Sequence, residues 1–342
     1  MSAISPKDGP VAVTGCSGFT GGHMVRELVH HGYSVRACIR DANSWRGQDC
    51  IEYLSRLANV EIIDGCDLFT GGSYDDAFAG ASAVFHVAAV LGNSADGKSQ
   101  PLGAGDIAKD VYDGGLVGTQ NVIDLANENS VGVLMTVSTD KAVSPSSIMG
   151  ASKFIAEKLT IDGNKLGSTK HSCVRFGNVM GSRGSVIPTF IDGIKNRGSI
   201  WISDYNVTRF AMPISEAADL VLDATEECEG GEIFVLKMKA FSMEQLLRVF
   251  KMMPLSSNGF DIDVRGRVDA EKLHEELFTF EESSRLWETK SHYVISHKDA
   301  PLSLEGAKKS EATMLSSENA EMYSDSELFE IISTIAESIL VD

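Results

Sequence analysis

The chain has 342 residues, 43% of them hydrophobic and 23% charged, enough to bury the core of one large α/β domain or of two smaller ones sharing a cleft. Thirty Lys plus Arg against 48 Asp plus Glu give a net charge of −18, which argues against a nucleic-acid partner, since that role needs clustered positive charge. The six cysteines form no C-x-x-C pair and are expected to be buried and reduced, with no metal site. No apolar run approaches the ~20 residues of a membrane span and no charged, then apolar leader is present, so a soluble cytoplasmic protein with no membrane partner is expected.

The first half alternates strand and helix. "PVAVTG" (10–15) predicts a strand and "FTGGHMVRELVHHG" (19–32) a helix closed by Gly32. Strands follow at 33–40, 59–68, 81–89, 131–139 and 171–179, and helices at about 106–129 and 148–163. This alternation predicts an α/β fold with a doubly wound parallel sheet. Segment 92–106 is a Gly/Ser-rich loop at the carboxyl end of the fourth strand, where ligands sit in such folds. After about residue 180 the pattern loosens into a smaller, interwoven substrate domain. The expected division is 1–177 for the nucleotide half and 178–342 for the substrate half. Amphipathic helices are expected at "SEAADLVLDATEE" and "SMEQLLRVF", and a terminal helix at 324–340 with Ser324 or Asp325 as its cap.

"VAVTGCSGFTGG" places Gly15, Gly18 and Gly21 between a strand and a helix. The first glycine permits the tight turn, the second admits a pyrophosphate, and the third allows close helix packing. The free N–H groups of the helix start attract the phosphates. A bound dinucleotide is therefore expected, with Ser17 and Phe19 beside the glycines. Asp67, Leu68, Ala88, Ala89 and Phe176, at the ends of later strands, are further cofactor contacts. At the end of the second strand Arg40 precedes Asp41. An arginine there pairs with the 2′-phosphate of NADP and an acid with the ribose of NAD, so the order favours NADP over NAD.

The glycine motif with Lys153 resembles an extended short-chain dehydrogenase/reductase of the Rossmann type. "STDKAVSPSSIMGASKFIAEKL", "VRFGNVMGSRGSVIPTFIDGI", "VTRFAMPISEAADLVLDA" and "EKLHEEL" resemble its polysaccharide-biosynthesis UDP-N-acetylglucosamine 4,6-dehydratases, including those that invert C5. Residues 1–130 are more similar to reductases of the dihydroflavonol and cinnamoyl type. The resemblance implies an NADP-dependent dehydratase (a lyase) acting on a UDP-sugar for polysaccharide biosynthesis. Met149 stands where a tyrosine is usual, and some of these dehydratases carry methionine there. The resemblance further implies a proton-transferring Asp140, Lys141 as the C5 base, Thr139 on the C4 oxygen and Lys153 on the nicotinamide ribose. Asn178, Arg183, Ser185, Val186 and Arg209 are the implied substrate contacts, and a homo-oligomer paired through the helices at 106–129 and 148–163 is expected. Two other readings stay open on the sequence: an NADPH-dependent carbonyl reductase, and a non-catalytic NADP-binding protein.

Overall fold

The computed structural model describes residues 4–88, 112–297 and 304–341. In chain order its first elements are β1 (Val11–Thr14), α1 (Phe19–His30), β2 (Val35–Cys38), α2 (Trp45–Leu54), β3 (Val60–Ile63), α3 (Asp75–Phe78) and β4 (Ala83–His86). Next come α4 (Gly118–Glu128), β5 (Val133–Thr139), α5 (Ile148–Asp162) and β6 (Lys170–Phe176). The second half adds β7 (Asn178–Val179), α6 (Val186–Arg197), β8 (Ser199–Ile202), β9 (Thr208–Met212), α7 (Ile214–Glu227), β10 (Ile233–Leu236), β11 (Lys239–Ser242) and α8 (Met243–Met252). It closes with β12 (Asp261–Val264), α9 (Phe280–Ser283), β13 (Leu286–Glu288), β14 (His292–Ile295), β15 (Lys308–Lys309) and α10 (Asp325–Val341).

Ten strands form the main sheet in the order β15-β13-β14-β10-β6-β5-β4-β1-β2-β3. From β3 to β10 the pairing is parallel, whereas β14 joins β10 antiparallel and carries β13 and β15 beyond it. The predicted doubly wound sheet is therefore present. Its order reverses between β1 and β4, the switch point where such sheets open a ligand crevice. The parallel strands read as near-continuous apolar runs because helices cover both faces.

A smaller lobe packs on the carboxyl end of this sheet around its own core, which includes Phe190, Ile202, Leu246, Phe250, Leu328 and Ile332. The strand expected at 171–179 breaks at Gly177, where a Cβ would lie 2.7 Å from that of Phe210. The break lets β7 leave the main sheet and pair with β9 in the lobe. The chain then returns, since β10, β13, β14 and β15 all extend the main sheet. Ser324, not Asp325, caps α10: its hydroxyl accepts from Glu327 N, and the Glu327 carboxylate accepts from Ser324 N. The long helix expected from 106 is described only from Tyr112, where a wide turn (Tyr112–Val117) leads into α4. The loop 92–106 lies outside the described residues.

Below the sheet's carboxyl edge sits a fully buried arginine. Arg175 on β6 donates from Nε and Nη2 to Glu157 of α5 at 3.0 and 2.7 Å. It also donates from Nη1 and Nη2 to Glu282 of α9, both at 3.0 Å, and from Nη1 to Leu277 O. Ser138 Oγ completes the cluster by donating to Glu157 at 2.6 Å. Cutting the guanidinium away leaves two carboxylates buried without their cation. Arg175→Met is therefore expected to cost about 3–5 kcal/mol of stability in urea unfolding at neutral pH. A loss below about 1 kcal/mol, the scale of an exposed pair, would show that the cluster does not hold the fold.

Candidate active site

The turn after β1 is built for close backbone approach. Gly15 has φ +76°, and a Cβ there would fall 2.8 Å from Ala88 N and Cα, so any other residue would push the ends of β1 and β4 apart. A Cβ on Gly21 would meet Gly15 O at 2.3 Å, which holds the first turn of α1 against the glycine loop. Gly18 caps α1 with no side-chain hydrogen bond, and the first turn carries no acid. The first N–H groups of α1 are thus open to an anion, as a dinucleotide pyrophosphate requires. The cradle fits the expected cofactor.

The ends of the neighbouring strands supply its walls. Asp67 caps its own turn by accepting from Phe69 N, and Leu68 packs on Gly118 at the start of α4. Ala88 stands against Gly15, and Phe176 is buried beside Thr139 in the sheet register. Ser17 and Phe19 flank the N-cap of α1, while Ala89 lies outside the described residues. At the end of β2, Arg40 and Asp41 are both exposed, and Asp41 organises the turn into α2 by accepting from Asn43 N and Ser44 Oγ.

His86, missed at the sequence level, locks the switch point. Thr119 Oγ1 donates to Gly115 O, so it accepts from His86 Nε2; His86 Nδ1 then accepts from Thr14 Oγ1, which in turn takes Ala88 N–H. Burial, and then the charge of Lys153, lower the His86 imidazole from 6.5 to about 3.

The catalytic candidates gather at the end of β5. Thr139 caps the single turn Asp140–Ala142. Asp140 is fully buried, and its Oδ1 accepts from Thr139 Oγ1 at 2.8 Å and from Lys141 Nζ at 3.1 Å. Lys141 Nζ also donates to Asn178 Oδ1 at 3.0 Å. The structure thus brings Thr139, Asp140, Lys141 and Asn178 together. The helix can approach this turn only because residue 150 is glycine: a Cβ there would sit 2.3 Å from Lys141 O. Lys153, one turn further, donates to Val137 O at 3.1 Å and is pushed below its ordinary value by burial. Met149 is half-buried at the same helix start, and its carbonyl accepts from Ser152 Oγ.

The remaining expected substrate contacts have partners of their own outside the Asp140–Lys141–Asn178 cluster, or none among the described residues. Arg209 donates to Glu271, Thr208 O and Leu273 O. Arg183 stacks over Trp45, 5.7 Å from the ring centroid, with Arg46 at 5.1 Å from the same ring. Ser185 and Val186 start α6, and the Ser185 hydroxyl is buried with no hydrogen bond among the described residues. Glu275 is a second miss. The motif "EKLHEEL" was visible, yet nothing in it tells which of its three carboxylates is buried.

A doubly wound sheet, a glycine cradle at its switch point and a lysine on the helix after β5 make up the extended short-chain dehydrogenase/reductase fold, the fold also of solved nucleotide-sugar epimerases and dehydratases. The chain belongs to the polysaccharide biosynthesis protein family, whose model matches residues 11–297. It is 30% identical to Pen from Bacillus thuringiensis, a solved structure with a TM-score of 0.85, over 97% of this chain and 99% of that one. It is 37% identical to the UDP-glucose 4-epimerase of Rickettsia rickettsii over 65% of this chain and 63% of that protein. An uncharacterized membrane protein of Methanocaldococcus jannaschii is 41% identical over 53% of this chain and 56% of its own length, so the matches span a little over half of these curated relatives. Among the described residues no helix is long and apolar enough to cross a membrane.

Two likenesses of fold correct the cofactor. UDP-glucuronic acid 4-epimerase from Bacillus cereus (TM-score 0.71, 16% identical, 96% of this chain and 99% of that one) is solved with NAD. DesIV, a dTDP-glucose 4,6-dehydratase from Streptomyces venezuelae (0.65, 18%, 77% and 86%), is also solved with NAD. The NADP expected from Arg40, and with it the NADP-dependent dehydratase, does not stand. Physically, Arg40 is exposed at the strand end with a carboxylate directly after it, so the arginine alone does not settle which cofactor fits.

The His86 belt has a measurable consequence. An imidazole held near 3 when folded and 6.5 when unfolded supports stability fully above 6.5, and that support is lost as pH falls towards 3. His171, lowered to about 4 by burial, acts in the same direction. Urea stability of His86→Gln is therefore expected to fall less steeply between pH 6.5 and pH 4 than that of the natural chain. Parallel slopes would remove His86 from the acid response.

Proposed function

We propose that the protein is an NAD-dependent nucleotide-sugar enzyme of the epimerase and dehydratase kind, which oxidises its sugar at C4 and returns the hydride within one catalytic cycle. The observation that carries this is the Thr139–Asp140–Lys141–Asn178 cluster at the carboxyl end of β5, two strands along the sheet from the glycine cradle after β1. Bound NAD would supply a hydride acceptor that becomes a hydride donor. The open N–H groups of α1 would hold its pyrophosphate, Lys153 the nicotinamide ribose and Asp41 the adenosine ribose.

The residues of the chain would then manage the protons. Thr139 orients the C4 oxygen and Asp140 takes its proton through the Thr139 hydroxyl. Lys141, tethered between Asp140 and Asn178, reaches the hydrogen on C5 once a ketone at C4 has made it acidic. An enzyme that only oxidises and reduces C4 needs one acid/base group at that oxygen. A second group paired beside it favours elimination of water across C5 and C6 over simple epimerisation. Met149 offers no hydroxyl, which disfavours a carbonyl reductase that must protonate an alkoxide from that position. The division of labour between residues 1–177 for the dinucleotide and 178–342 for the sugar nucleotide belongs to the same reading, with Asn178, Arg183, Ser185, Val186 and Arg209 on the substrate side.

The test is product analysis. The purified protein, given catalytic NAD⁺ and UDP-N-acetylglucosamine or UDP-glucose in deuterated water, is expected to release one water and place deuterium at C5, read by mass and proton NMR. An epimer formed without water loss would move the protein to the epimerases, and unchanged sugars with NAD⁺ bound would overturn the reading. Lys141→Met is expected to lower turnover by roughly 10²- to 10⁴-fold while NAD⁺ binding persists. Equal turnover would exclude Lys141 as the base.

We also propose that two copies pair through α4 and α5. α5 exposes Ile148, Phe154 and Ile155 (53%, 39% and 41%) on a surface that a lone chain would leave wet. Phe154→Glu combined with Ile155→Glu is expected to halve the mass measured by light scattering. An unchanged mass would place any interface elsewhere.

A further inference from the structure

Two buried carboxylate oxygens in this site accept no hydrogen bond among the described residues: Asp140 Oδ2 and Glu275 Oε2. Their side chains come from distant parts of the chain and are drawn together by the segment "AEKLHEE". Ser146 Oγ donates to Ala270 O at 2.8 Å, and Lys272 Nζ donates to Val143 O at 2.7 Å. Val143 N in turn donates to Asp140 O. Glu275 is held from the other side, because its N–H donates to Ser317 Oγ at 2.9 Å and its carbonyl accepts from Ser317 N at 2.8 Å. Only 4% of Glu275 is exposed, so solvent screens its charge poorly.

The charged groups that face Glu275 are Asp140, Lys141, Arg209 and Lys272. Two of the three cations are already occupied, and the third, Lys272, is divided between a carbonyl and Glu275 itself. Lys141 is bound to Asp140 and Asn178, Arg209 to Glu271, and Lys272 to Val143 O, with its ammonium 3.7 Å from Glu275 Oε2. Asp140 Oδ1 receives both the Lys141 ammonium and the Thr139 hydroxyl, so the anion belongs on Asp140. Two neighbouring carboxylates in a dry site do not both ionise. In agreement, burial and then the charge of Asp140 raise Glu275 above the ordinary carboxylate range.

We propose that Asp140 and Glu275 work as one electrostatically coupled carboxylate pair, in which Glu275 keeps a proton so that Asp140 can exchange another with the sugar. This rests on the C4-oxidation reading above. At rest the pair holds one proton and one negative charge. When the C4 O–H bond breaks, its proton goes to Asp140 and the pair holds two protons and no charge; the C4 hydrogen would pass as hydride to the NAD held at the glycine cradle and would be returned to the sugar later in the cycle. Asp140 then releases its proton to a sugar oxygen. Glu275 acts through Asp140 and touches no reacting atom, so it is a positioning residue.

The pair is tested in the full-length protein by infrared spectroscopy in deuterated buffer, which reads protonated carboxyl groups without any turnover. The natural chain minus Glu275→Gln is expected to show a protonated carboxyl band at neutral pH that titrates away in the alkaline direction. In Asp140→Asn that band is expected to titrate at lower pH, because the neighbouring negative charge is gone. An absent band, or one whose midpoint ignores Asp140→Asn, would overturn the pair. Should Glu275→Gln fail to fold, the titration in Asp140→Asn decides alone. In turnover, Glu275→Gln is expected to lower kcat by roughly 10²-fold with KM little changed, and to lose one limb of the pH–rate profile. Glu275→Asp restores part of both. If the natural chain turns over no nucleotide sugar while the band behaves as expected, the function proposed above fails and the carboxylate pair survives.

Discussion

The structure depends on a cation where a parallel sheet offers no water. Arg175 lies on β6 between a glutamate of α5 and a glutamate of α9, with both carboxylates buried at its sides. In low dielectric neither glutamate tolerates being left without the guanidinium, and the guanidinium does not tolerate losing either one. The cluster therefore fixes the relative position of three things: the sheet, the helix that carries Met149 and Lys153, and the segment that runs from Glu271 to Glu282. Each of these contributes to the site on the other side of the sheet edge. A hydrophobic plug of equal volume would fill the space, but it would not fix the register of the helix and of segment 271–282 with five directed hydrogen bonds.

What the cluster positions is a site made almost wholly from strand ends. β5 stops at Thr139 because its side chain turns back to cap the next residues, and the cap leaves Asp140 pointing into the interior and Lys141 at its rim. Gly150 then allows α5 to start in contact with the Lys141 carbonyl. β6 stops at Phe176 because Gly177 passes against Phe210, and the change of direction delivers Asn178 to Lys141. Two glycines far apart in sequence thus bring the lysine and its amide partner together. The switch point on the other side is set in the same way, by Gly15 against Ala88 and by the Thr14–His86–Thr119 belt beneath them.

Much of this was legible in the sequence, and the pattern of what was not has a physical basis. Local signals were reliable: the glycine turn follows from backbone sterics, the parallel sheet from the alternation of apolar runs, and the place of Asp140 and Lys141 from the end of the apolar run "VGVLMTVST". α2 was not seen, since "SWRGQDCIEYL" mixes polar and apolar residues and starts on a serine cap that only geometry reveals. His86, Glu275 and Arg175 were invisible for a shared reason. Each is a polar residue whose burial is decided by partners up to 107 positions away, and one-dimensional periodicity holds no record of those partners. Arg40 failed in the opposite sense, because a single charged residue at a strand end was asked to settle a preference that its neighbour Asp41 contests.

The missing tyrosine shows how such a cluster can change its chemistry without changing its frame. A tyrosine at position 149 would place one weak acid near the cofactor, fit for a single proton transfer. Methionine there offers no donor, so in the proposed reaction the proton would move through groups outside the helix. The turn after β5 provides two, a buried carboxylate and a tethered ammonium, and segment 271–282 provides a third group behind them in Glu275. Groups with different affinities for a proton, positioned by glycine contacts and one buried arginine, suit a reaction with several proton steps better than one phenol does. The loss of the tyrosine is then intelligible as a transfer of duty from α5 to the strand end it packs on.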